Sequence, residues 1–134
     1  MLALPFTLAR LLGRSIRQPE YRRHWGQRLG FAPAAPAGGI WLHAVSVGEV
    51  NAAVALIGAL RTACPGLPLL VTTTTPTGAE QVRLRLGGQV RHTYLPYDLP
   101  GACARFMRRH RPRLGIVMET ELWPNLFAAA AAAR

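Results

Sequence analysis

The stretch Ile40-Trp41-Leu42-His43-Ala44-Val45-Ser46-Val47-Gly48-Glu49-Val50 changes character twice within a few residues. An apolar run that reads as a buried strand gives way to a polar corner, and the corner to a helical stretch that starts near Glu49. In α/β proteins ligands bind just beyond the carboxyl ends of strands. Ser46, Gly48 and Glu49 stand at such a position.

The same unit recurs on the carboxyl side. Strand-like runs at residues 40–45, 67–73, 90–95 and 114–118 alternate with helical segments at 49–63, 77–86 and 101–110, and Pro65-Gly66, Gly87-Gly88 and Pro112 punctuate them. This alternation predicts right-handed βαβ units and a parallel sheet covered on both faces, a Rossmann-like α/β fold. A last helix should start at Pro124 and run through the alanine tract. With no strand after it, the expectation is an architecture that stops partway at Arg134.

On the amino side, residues 32–39 are rich in Pro, Ala and Gly and read as a linker between a domain at 40–134 and a helical segment at 1–31. Arg10, Arg14 and Arg17 would form one basic stripe on an otherwise apolar helix, the pattern of a helix lying in a membrane interface. A helix packed on the rest of the protein is the alternative. Arg22, Arg23 and Arg28, interleaved with Tyr21 and Trp25, read either as an anion-binding surface or as a solvated helix face.

A chain of 134 residues that is 50% hydrophobic suits one domain with a real core. Its charge is +10 and all 16 basic residues are arginine, which grips phosphate or carboxylate bidentately. An anionic partner follows, but net charge does not choose among nucleic acid, lipid and phosphorylated small molecules. Cys64 and Cys103 suggest neither a zinc site nor a disulfide framework, which fits a reduced cytosolic compartment; no cofactor is expected. No run reaches the roughly 20 apolar residues of a spanning helix, and no GxGxxG or GxxxxGK[ST] pattern is present.

In a parallel sheet the strand-to-helix corners share one edge, and Glu49, Asp98, Glu119 and Glu121 all fall in them. Such clustering in a basic chain resembles a site. Glu49 reads either as a first-turn acid complementing the helix dipole or as a general base that deprotonates an attacking hydroxyl. Ser46 would cap that helix and Gly48 would admit a close approach. His43 reads as a satisfied core histidine more readily than as a ligand. Thr75, Thr77 and Gly78 make an anion-binding cup or an ordinary turn with a cap. Asp98 reads as an N-cap rather than a catalytic acid. Glu119 and Glu121, two apart on an extended segment, either converge on one ligand or divide into a cap and an arginine partner.

Four motifs taken together, Trp41-Leu42-His43-Ala44-Val45-Ser46-Val47-Gly48-Glu49, Thr72-Thr73-Thr74-Thr75-Pro76-Thr77-Gly78, Tyr94-Leu95-Pro96-Tyr97-Asp98-Leu99-Pro100 and Met118-Glu119-Thr120-Glu121-Leu122-Trp123-Pro124-Asn125, resemble the amino-terminal half of the 3-deoxy-D-manno-octulosonic acid (Kdo) transferases of Gram-negative lipopolysaccharide synthesis. Tyr21-Arg22-Arg23 and Gln27-Arg28-Leu29-Gly30 fit the same pattern. The resemblance implies a GT-B enzyme, two Rossmann-like domains facing a cleft, that transfers Kdo from CMP-Kdo to a lipid A precursor with inversion and without a metal. It implies an amino-terminal domain that holds the acceptor at the cytoplasmic face of the inner membrane, peripherally or through an N-terminal anchor, and a carboxy-terminal domain that binds most of the donor. Carried over by motif, Glu49 is the base, and Glu119 is favoured over Glu121 as a second required acid, with Ser46, Gly48, Thr75, Thr77, Gly78 and Glu121 at the substrate. The short, arginine-punctuated residues 1–17 depart from the family's clearer anchor, and the donor half would lie beyond Arg134. The chain alone is therefore expected to fold as the acceptor side and not to turn over.

The rival reading is a non-catalytic basic module for nucleic acid or anionic membrane. Acids at the crevice would repel a phosphodiester backbone, so no nucleic acid is expected. A receiver-like domain lacks its first-strand acid pair and distal lysine.

Overall fold

A computed structural model describes residues 19–118 and 123–133. Strands β1 (Ile40–His43), β2 (Leu69–Thr73), β3 (Arg91–Tyr94) and β4 (Leu114–Val117) alternate with helices α1 (Val47–Ala63), α2 (Pro76–Leu86), α3 (Pro100–His110) and α4 (Pro124–Ala132). All pairings are parallel, in the order β3-β2-β1-β4. The chain steps from β1 outward to β3, then crosses back to place β4 on the far side of β1. The strand order therefore reverses between β1 and β4, which is where open α/β sheets form their ligand crevice.

Sequence pattern accounts for which strands are central. β1 and β2 are buried throughout, as continuous apolar runs covered on both faces must be. Arg91 at the start of β3 and Leu114 at the start of β4 are exposed, as befits edges. The two-residue alternation within β1 feeds two cores. Ile40, Leu42 and Ala44 pack with Val50, Ala53 and Ile57 of α1 and Val82 and Leu86 of α2. Trp41 faces the other layer with Leu95, Phe106 and Met107 of α3, and Leu126 of α4. Phe106 is wholly buried and meets Trp41 edge-on at 5.3 Å. Gly115, paired with Trp41 in register, leaves the indole its room, since a Cβ there would sit 2.9 Å from the ring.

The segment expected to be an appendage and linker is strapped to this body from Gln27 onward. A π-helical turn, Gln27–Phe31, packs on α3 and β3. The Gln27 side-chain carbonyl accepts from the Tyr94 N–H (3.2 Å) and the Thr93 hydroxyl (3.0 Å), standing in for a fifth strand along the β3 edge. Gly30 has φ 85°, and a Cβ there would lie 2.5 Å from the Ala102 carbonyl oxygen. Arg105 donates to the Leu29 carbonyl (2.9 Å), Arg109 to Ala32 (3.2 Å) and Arg91 to Ala34 (3.2 Å). Arg28, read as part of a basic surface, is 4% exposed, donates to the Thr74 carbonyl (2.8 Å) and lies 4.3 Å from the Tyr94 ring centre. Part of the arginine excess thus ties down carbonyls inside the molecule and is not a surface for anions. The expected interfacial helix at residues 1–17 lies outside the described residues.

Candidate active site

The β1–α1 corner is built on Glu49. Its Oε2 accepts from the Val45 N–H at 2.6 Å and its Oε1 from the Ser46 hydroxyl at 3.1 Å. Ser46 occupies the N-cap position, yet its side chain accepts no helix N–H. Capping runs backward: the third helical residue reaches over the corner, as in half of a capping box, where a negative charge is favoured by the dipole. These two bonds orient the carboxylate and occupy two of its roughly four acceptor directions. The rest remain for a ligand. Gly48 is exposed, and a Cβ there would meet nothing within 4 Å, so the space beside Glu49 is open.

The threonine corner is tied to the first through one carbonyl. Val45 O accepts from the Thr74 N–H and from the Thr74 and Thr75 hydroxyls, each at 3.3 Å. Thr75 Oγ1 also accepts the Gly78 N–H (3.0 Å) as a helix cap and the Thr77 hydroxyl (3.4 Å). Gly78 is packed, not open: a Cβ would meet Thr75 Oγ1 at 2.9 Å and Val45 O at 3.3 Å. The structure thus brings Ser46, Gly48, Glu49, Thr75 and Gly78 together, with the hydroxyl of Thr75 turned inward and Thr77 on the surface. Glu119 and Glu121 lie outside the described residues.

Asp98 is a cap, but of a helix 27 residues away. Its Oδ1 accepts the Leu126 N–H (2.9 Å) and its Oδ2 the Asn125 N–H (3.3 Å), while Asn125 Nδ2 donates to the Asp98 carbonyl (2.8 Å). Burial and then the adjacent Asp98 charge push the Cys103 thiol up to about 12, which makes it inert as a nucleophile.

His43 is only half the satisfied core histidine expected from sequence. Its Nδ1 lies 2.9 Å from Thr72 Oγ1 and 3.1 Å from the Thr72 carbonyl, but its buried Nε2 has no partner. The Trp123 indole stands edge-on to it at 6.4 Å between ring centres, and its own buried Nε1 is also unpartnered. Burial lowers His43 to about 4, against the smaller raising effects of the Thr72 bond and the Glu49 charge, so the ring is neutral at pH 7. The available signal was the Trp41/His43 spacing of two, which places both side chains on one face of β1. Gln27 and Arg28 stood out in sequence only within a basic-aromatic run and a family-like motif, neither of which showed that they pack against β3 and the threonine corner.

A cleft of about 720 Å³ opens on the opposite, β3 side of the sheet, lined among others by Arg23, His24, Arg83, His92 and Tyr94. It does not include the Glu49 corner. His92 on its wall is spent on Thr73 Oγ1 (2.9 Å) and lowered to about 4 by burial, then by the charges of His24 and Arg28. Its lining also includes Glu20 and Glu80; what sets the Glu49 corner apart is a carboxylate oriented by two hydrogen bonds at the topological switch point. Among the described residues no group of three His, Cys, Asp or Glu is placed to hold a metal ion, and no helix is long and apolar enough to cross a membrane.

Fold and corner together define a Rossmann-like α/β domain that presents a carboxylate at its topological switch point. The family model described as 3-deoxy-D-manno-octulosonic-acid transferase (kdotransferase) matches residues 23–134. The chain is 49% identical over 115 residues to the 3-deoxy-D-manno-octulosonic acid transferase of Haemophilus influenzae, covering 84% of this chain and 27% of that protein. It is 54% identical over 106 residues to the enzyme of that name from Bordetella pertussis, covering 75% and 24%. It is 40% identical over 119 residues to a probable mitochondrial one of Arabidopsis thaliana, covering 87% and 27%. The chain belongs to the 3-deoxy-D-manno-octulosonic acid transferase family, and spans about a quarter of the length of these relatives.

Proposed function

We propose that this chain is the acceptor-side half of an inverting, metal-independent glycosyltransferase that moves Kdo from CMP-Kdo to a lipid A precursor at the inner-membrane surface. The observation that carries the reading is the family match over residues 23–134 combined with Glu49 at the switch point, its carboxylate oriented by Val45 and Ser46 beside an unfilled Gly48. Glu49 takes the proton of the acceptor hydroxyl as that oxygen attacks the donor's anomeric carbon and CMP departs. Glu119, in the segment after β4, is the second required acid, with Glu121 at the substrate. Membrane attachment belongs to residues 1–17.

The test is a chimera in which residues 23–134 replace the matching segment of the B. pertussis relative, assayed with CMP-Kdo and a detergent-dispersed tetraacylated lipid A precursor. The chimera should transfer Kdo. Glu49→Gln should lower kcat by roughly 10²–10⁴ while leaving acceptor binding nearly intact; turnover near that of the parent chimera would remove Glu49 from the role.

A further inference from the structure

Two buried nitrogens at the switch point, His43 Nε2 and Trp123 Nε1, lack partners. One sits on the last residue of β1 and the other just before α4, and the Met118 N–H to His43 carbonyl bond (3.0 Å) pins the ends of β1 and β4 to each other. An unpaired buried polar group costs about 1–3 kcal/mol, so two of them on rings whose centres lie 6.4 Å apart call for an occupant.

Counting hydrogens says what kind. Trp41 Nε1–H, which can only donate, gives its proton to Thr72 Oγ1 at 2.8 Å. The Thr72 hydroxyl has one hydrogen of its own, and the acceptor beside it is His43 Nδ1 at 2.9 Å. The Thr72 carbonyl, 3.1 Å from Nδ1, receives the Ala44 N–H at 3.0 Å and keeps a second acceptor direction, but it can do nothing for the hydroxyl hydrogen if Nδ1 is itself a donor. Placing the imidazole proton on Nδ1 would strand the Thr72 hydroxyl hydrogen as well as Nε2; placing it on Nε2 strands one atom instead of two. The relay Trp41 to Thr72 to His43 therefore ends in an Nε2–H donor, beside the Nε1–H donor of Trp123.

Two N–H groups bind an oxygen that accepts. Glu49 is near enough for its charge to act on His43, so an anionic oxygen would be repelled there while a neutral hydroxyl fits both sides, accepting from the nitrogens and donating to the carboxylate. We propose that His43 Nε2–H and Trp123 Nε1–H are positioning donors for the reacting hydroxyl of the acceptor sugar, aiming its single proton at Glu49. The indole is only partly buried whereas His43 is 1% exposed, so Trp123 is the member of the pair nearer the surface. This inference rests on the glycosyltransferase reading.

The first arm needs no turnover: long-range ¹H–¹⁵N correlation on the ¹⁵N-labelled 134-residue chain at pH 7, with His43→Gln to assign the signal. An Nε2–H tautomer at His43 is expected; an Nδ1–H tautomer overturns the proposal while leaving Kdo transfer by the chimera standing. The second arm is kinetic. In the chimera, His43→Phe and Trp123→Phe should each lower acceptor kcat/KM about tenfold, the worth of one hydrogen bond. His43→Gln, which keeps a donor near the Nε2 position, should recover most of that loss, and Trp123→Phe should leave the KM for CMP-Kdo unchanged. Equal losses in the Gln and Phe variants, or full acceptor kcat/KM in Trp123→Phe, would sink the idea.

Discussion

The corners after β1 and after β2 have the same architecture and opposite economies. Each ends a central strand, turns through a hydroxyl residue at the N-cap and carries a glycine in the first turn of the helix. In the second, Thr75 caps the helix with its own oxygen and Gly78 is filled by its neighbours. In the first, the cap residue Ser46 holds Glu49, the carboxylate reaches back over the turn, and Gly48 faces open space. A corner whose polar atoms all bond inward is a joint. One that leaves acceptor directions and room unused has what the proposed base needs, and the likeness of their sequences conceals the difference.

The sharpest way to break this comparison is Glu49→Gln in the active chimera, where a loss of roughly 10²–10⁴ in kcat is expected. Its counterpart Thr75→Ala should change kcat little and act on stability. Acid titration probes the histidines behind the corners, His43 behind the first and His92, bound to Thr73, behind the second. Each falls from 6.5 to about 4 on folding, chiefly through burial. The unfolded chain then binds more protons between those values, so their contribution is complete above about pH 6.5 and is lost as pH falls towards 4, by up to about 3 kcal/mol for a fully buried ring. His110, also near 4 through burial and then the charges of Arg109 and Arg91, adds to the same limb. Urea midpoints at pH 7.5 and 4.5 should differ accordingly, and His92→Gln should shrink that difference.

Smaller effects separate the glycines. Gly78→Ala should cost about 1–3 kcal/mol by overpacking against Thr75 and Val45, whereas Gly48→Ala should stay within about 0.5 kcal/mol of the parent, both read from urea unfolding. Smallest is the contrast between caps: Thr75→Ala should cost about 1 kcal/mol and Ser46→Ala at most about 0.5 kcal/mol. Equal costs in either pair would erase the distinction between joint and site.

Strands, helices and the parallel sheet were legible because they rest on local periodicity and punctuation, and the place of Glu49 in the first turn after β1 was legible for the same reason. The packing roles of Arg28 and Gln27 were not. A basic, aromatic-flanked run looks solvated until a sheet edge with unpaired N–H groups is placed beside it. Asp98 was readable as a cap, but the helix it serves lies across the fold and not next along the chain. His43 looked complete because a core histidine usually is; counting its partners required knowing that Trp41 had already claimed the Thr72 oxygen.

By itself the sequence determined the alternation of strand and helix, the family and the residue standing at the first corner, since each follows from side-chain type and spacing along the chain. Tertiary structure alone decided which corner stayed open, where the arginines spend their charge and which ring nitrogen lacks a partner. Those depend on atoms distant in sequence competing for the same hydrogen bonds, and that competition exists only once the sheet has brought them together.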